Sequence, residues 1–209
     1  MPITLVNIRN DIRANLQANQ QELSDATLMS FINQAIGFGE SKSLLIPVAD
    51  ETLVVATDTY EYPLTGGELA NLKYIHEIWQ EGDTANVFDD YIPRNYWSIE
   101  YSSTPYLYFY PSIFPGKAVT DRLLRVKGFK PQARVVDDDT DTIDLPGMFV
   151  VWKASALGHA ALSSSINRRG EWHRSQVQYS EQQAEDIRLG SREFKLPPNC
   201  RKVPGRGVN

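Results

Sequence analysis

The chain has 209 residues and a mass of 23.6 kDa, room for one ordinary domain or one domain carrying an insertion. Hydrophobic residues at 42% and charged residues at 22% exclude wholesale disorder, and a formal charge of −5 excludes a chain built throughout to coat a phosphate backbone. The longest fully apolar run, residues 148–152, is too short to span a bilayer, and the lone cysteine, Cys200, cannot close an internal disulfide. The N-terminal residues have no basic stretch followed by an apolar one, so no secretory signal is expected. A soluble, acidic, mixed α/β protein of a reducing cytoplasmic compartment is the expectation that remains.

Leu5, Ile8, Ile12 and Leu16 recur on one helical face and predict an amphipathic helix over residues 4–18. Ser24 reads as the N-cap of a second helix over residues 25–43, with Asp25 in its first turn and Leu23 and Leu28 at the spacing of a hydrophobic staple. Pro47 must stop that helix. The period then changes to short β-type runs at 52–56, 59–63, 74–80, 106–110 and 123–130, separated by Gly and Pro. Helical pattern returns over 148–165, a turn is expected at Asn167-Arg168-Arg169-Gly170, and a polar helix over 171–189 is closed by Gly190. The expected fold class is α+β: a helical bundle formed by N- and C-terminal helix pairs (1–46 and 146–189), an inserted small antiparallel β-module (47–145) and an extended C-terminal tail (190–209).

Motifs that would carry chemistry are incomplete. His76-Glu77 begins like a zincin helix, but Gln80 stands where the second histidine must be and the run is β-type. His159 and His173 lie on different predicted helices with no cysteine partner, so no zinc spacing exists. Asp137, Asp138, Asp139, Asp141 and Asp144 imitate a calcium loop, yet Thr142 replaces the glycine of the sharp turn and Met148 the final glutamate. No nucleophile elbow, dinucleotide loop or phosphate loop is present. Catalytic, cofactor and metal residues are therefore expected to be none.

Two surface features stand out. Tyr106, Tyr108 and Tyr110 alternate with Leu107 and Phe109, which places three phenols on one face of a strand, fitted either to a half-buried rim or to a contact face. Residues 190–209 carry a net +4 from Arg192, Lys195, Arg201, Lys202 and Arg206 against Glu193, which leaves −9 on the remainder. A basic, proline-spaced arm on an acidic body suits docking on an acidic neighbour, with Phe194 and Leu196 as apolar anchors. Asp137, Asp138, Asp139 and Asp141 are the expected acidic, solvated rim.

In this order the chain resembles the phage head–tail adaptors, the neck proteins also called tubular protein A in short-tailed phages. The resemblance rests on residues 23–35 with their aspartate-capped start and Asn33-Gln34-Ala35, on residues 59–64 with Tyr62-Pro63-Leu64, on the strand 105–111 ending in Pro111, and on residues 141–146 leading into an Ala-rich helix. It spans residues 4–189 and leaves the tail unmatched. It implies a non-enzymatic virion protein made in the host cytoplasm. That protein forms a homo-oligomeric ring, a dodecamer, in the neck between the portal protein and the tail nozzle or tail tube protein. Double-stranded DNA passes through the lumen without specific binding, and there is no membrane partner and no cofactor. A tail-tube or terminator-type structural protein and a cell-wall hydrolase are the rival readings.

Overall fold

The computed structural model describes residues 3–18, 20, 22–111, 119–136, 141–164 and 168–206. In chain order these form β1 (Ile3–Thr4), α1 (Leu5–Leu16), α2 (Asp25–Ser41), β2 (Ile46–Val54), β3 (Glu61–Pro63), β4 (Tyr74–Glu81), β5 (Phe88–Tyr91) and β6 (Trp97–Tyr101). There follow β7 (Pro105–Phe109), β8 (Leu123–Lys130), β9 (Thr142–Ile143), α3 (Gly147–Leu162), α4 (Arg168–Gly190) and β10 (Arg201–Lys202). The chain divides into two compact units, residues 1–46 with 132–195 and residues 47–131 with 196–209.

In the first unit α3 packs against α1, α2 and α4. It is buried almost all round, through Phe149, Val150, Val151, Ala154, Ser155, Ala156, Gly158 and His159. Small residues allow this: a Cβ on Gly158 would come within 2.5 Å of the Leu16 side chain, so α1 and α3 close on each other only with glycine there. The stripe Leu5, Ile8, Ile12 and Leu16 is fully buried, as its spacing requires. Ser24 caps α2 by accepting the Thr27 N–H at 3.2 Å, and the flanking Leu23 and Leu28 are buried. β1 pairs with β9, and Asn33 exchanges two hydrogen bonds of 3.0 Å with the backbone of Val135.

The second unit is built from strands. A five-stranded sheet runs in the order β10-β4-β8-β2, with β5 also on β4, and a three-stranded sheet runs β3-β7-β6. Their inner faces share one core of Val55, Tyr62, Leu64, Ile75, Ile78, Trp97, Leu107, Phe109, Leu124, Val126 and Val203. Asp50, 5% exposed, organises the turn between β3 and β4. Its carboxylate accepts the N–H and hydroxyl of Thr52 and the N–H groups of Glu68 and Leu69. Gly67 has φ +52° there, and a Cβ would lie 2.7 Å from the Asp50 carboxylate, so glycine is needed on both counts.

The expected fold class is corrected. Among the described residues the protein is α+β with four helices and ten strands in three sheets, about 42% helical and 27% strand, and it is not a helical bundle with a small β-module. The β portion is larger because β5 and β6 add to the expected strands, and because β2 begins at Ile46, through Pro47 instead of after it. The C-terminal tail is not a free extension either. Its prolines exclude a helix but leave two residues, Arg201 and Lys202, to pair with Ile75 and Tyr74 on the edge of β4 that β5 leaves open. Val203 donates to the Lys73 carbonyl at 2.9 Å and is fully buried. The turn expected at 167–170 is also absent from Arg168 onward, where α4 has already started. Among the described residues no helix is long and apolar enough to cross a membrane.

Candidate functional surfaces

The basic C-terminal residues are distributed by the fold, not gathered on one arm. Arg192 and Phe194 lie in a single 3-10 turn after α4, where the Phe194 carbonyl accepts the Leu45 N–H at 2.9 Å and Lys195 bridges to Leu44. Lys195 Nζ donates to the Leu189 carbonyl at 2.7 Å, so a cation satisfies an orphan acceptor at the C-terminal end of α4. Leu196 begins the stretch that belongs to the second unit. Arg201 donates to the Arg94 carbonyl at 3.0 Å and lies 4.8 Å over the Trp97 ring. Arg206 donates to the carbonyls of Leu64, Leu69 and Leu72, and its burial pulls the guanidinium below its ordinary pKa. Lys202 and Arg192 keep exposed side chains. Of the seven residues expected to dock on a partner, Lys195, Arg201 and Arg206 therefore fasten their own chain.

Of the expected acidic rim, Asp137, Asp138 and Asp139 lie outside the described residues. Asp141 is placed: its carbonyl accepts the Leu5 N–H at 2.9 Å and its carboxylate the Val136 N–H at 3.1 Å, so it closes the backbone at the start of α1. Among the described residues no group of three or more His, Cys, Asp or Glu could hold a metal ion.

The three histidines take unrelated positions. His76 sits on β4 with Nδ1 3.6 Å from Glu77 and its ring against Phe129, a strand histidine as the β-type run requires. His159 and His173, from α3 and α4, are each 2% exposed and approach Nδ1 to Nδ1 at 2.9 Å, with Trp172 packed edge-on against both. One ring must donate and the other accept, so the contact exists only while at least one ring is neutral. Burial, and then the charge of His173, push His159 down to about 4. Burial and the charge of Arg169 lower His173 against an opposing pull from Glu22. Cys200 is no nucleophile in this setting: burial raises its thiol to about 11, against a smaller opposing effect of Arg94.

Two features were not singled out by the sequence. Lys153, 8% exposed on α3, holds Glu181 of α4 at 2.7 Å and lies 4.0 Å over the Phe38 ring of α2. Nothing marks that lysine in an Ala-rich helix except its place on the buried side. The carboxylates of Glu61 and Glu100 flank the tyrosines of β7, a pairing that only strand register creates.

No protein-family model matches this chain, and no curated protein is significantly similar to it.

Proposed function

We propose that the chain is a virion structural protein, a head–tail adaptor that assembles as a dodecameric ring between the portal vertex and the tail and lets DNA through its lumen. The observation that carries the proposal is the placement of the four segments that resemble the adaptor family. Asn33-Gln34-Ala35 lies within α2, where Asn33 pins Val135. Tyr62 and Pro63 lie on β3, with Leu64 just beyond it. Pro111 lies two residues past the end of β7, after Tyr110. Residues 141–146 form β9 and the lead into α3. Each segment meets an element or its boundary, as a recurring structural pattern would require.

The charge distribution supports the same role. With a formal −5 overall, the wall of such a channel would not grip passing phosphates. The proposal assigns the chain no catalytic step, no cofactor and no membrane partner. DNA-filled heads made without this protein supply the test. Adding the purified protein should let them attach tails, and the protein alone should bind duplex DNA weakly at physiological salt. Heads that attach tails equally well without it would overturn the proposal, and so would tight, salt-sensitive DNA binding.

A further inference from the structure

Among the described residues, the outer face of the three-stranded sheet combines phenols and carboxylates, and its three strands carry no cation. Leu107 and Phe109 of β7 enter the core, which turns Tyr106 and Tyr108 outward, with Tyr110 exposed one residue past the strand. Register sets Glu61 of β3 and Ser98 of β6 on either side of Tyr108, and Pro63 and Glu100 on either side of Tyr106. The Tyr106 hydroxyl donates to Glu100 at 3.2 Å, the Ser98 hydroxyl donates to the same carboxylate at 3.0 Å, and the Tyr108 and Tyr110 rings meet edge to face at 5.7 Å. Glu61, Glu100 and Tyr110 are exposed. No lysine or arginine occurs on β3, β6 or β7, and among the described residues neither glutamate meets a cation. The Tyr106 phenol is held above its ordinary pKa by desolvation, then by the hydrogen bond and charge of Glu100 and the charge of Glu61, as a locally negative face requires.

We propose that this face is a docking surface for an arginine-bearing segment of a partner protein. Arginine fits it better than lysine does: a planar guanidinium stacks on a phenol while its fork pairs with a carboxylate, and tyrosine gives large contact area at low entropic cost. A nucleic acid is disfavoured by the two glutamates, which repel phosphate. The inference needs only this face and stands independently of the adaptor proposal.

The test uses the full chain and a fluorescent peptide of alternating arginine and glycine, with a lysine–glycine and a glutamate–glycine peptide for comparison. The arginine peptide should bind most tightly, the lysine peptide less, and the glutamate peptide not at all; rising salt should weaken the complex. The double variant Glu61→Gln/Glu100→Gln should weaken arginine-peptide binding about fivefold, as expected for losing two exposed charge pairs. Glu171→Gln/Asp186→Asn removes the same charge from the exposed side of α4 and should leave binding nearly unchanged. Equal losses in the two double variants would mean that only total charge matters and would overturn the proposal. No binding by the arginine peptide, or binding unaffected by the Glu61 and Glu100 changes, would overturn it as well. Circular dichroism of each variant establishes that these conservative exchanges leave the fold intact.

Discussion

The two units of this protein differ in how their most buried charged and titratable groups are satisfied. In the helical unit the backbone satisfies itself within each helix, and the buried side chains pair with one another across helices: Lys153 with Glu181, and His159 with His173. In the strand unit Lys130 and Glu68 also pair, but two charged side chains, Asp50 and Arg206, serve the backbone. Asp50 gathers two N–H groups of the turn before β4, and Arg206 gathers three carbonyls around that same turn. Helices leave orphan groups only at their ends, whereas a strand unit with long connections leaves them in its turns, where a side chain must reach them. The His159–His173 pair responds to protonation; side chains locked on backbone groups respond to deletion.

A charge in the helical core should destabilise the protein most. Leu28 is fully buried on α2, so Leu28→Asp places an unpaired charge in the core and should cost about 4 kcal/mol or more. Denaturant melts followed by circular dichroism check this, and a variant with an unchanged midpoint would contradict the packing described. In the strand unit, Asp50→Ala strands the N–H groups of Glu68 and Leu69 and should cost about 2–4 kcal/mol, whereas Asp50→Asn should recover part of it. The melting midpoints of the two variants give that order directly.

The histidine pair makes the helical unit sensitive to pH. His159 is neutral when buried and its pKa lies near 4, against 6.5 in the unfolded chain. The unfolded state therefore binds more protons between these values, and stability should fall as pH drops from about 6.5 to about 4, by roughly 2–3 kcal/mol in total. A His159→Gln variant should show a shallower loss over that window. An unchanged slope would mean that the histidine pair does not titrate with unfolding.

Legibility in the sequence followed the range of the interactions. α1 and α2 were readable because their stripes and the Ser24 cap are local, and the structure buries Leu5, Ile8, Ile12, Leu16 and Leu28 accordingly. Strands β4, β7 and β8 were readable from composition and proline brackets. Residues 97–101 also alternate apolar and polar side chains, so β6 was legible in principle, while Phe88-Asp89-Asp90-Tyr91 of β5 offers no alternation to read. The C-terminal residues misled for a different reason. Proline and positive charge describe how a segment behaves in solvent, not whether an open edge such as that of β4 is waiting for two of its residues. The tyrosine face was visible as a pattern, but its glutamates come from β3 and β6 and are joined to it only by register.

The proposed role is that of a ring adaptor between a portal and a tail. The most direct measurement is the mass of the purified full-length protein in solution, alone and mixed with its portal protein, read by native mass spectrometry. The account predicts that a closed ring forms, a dodecamer, on its own or on the portal, and that the ring and portal migrate as one complex. A protein that stays monomeric at every concentration and forms no complex with the portal would contradict it.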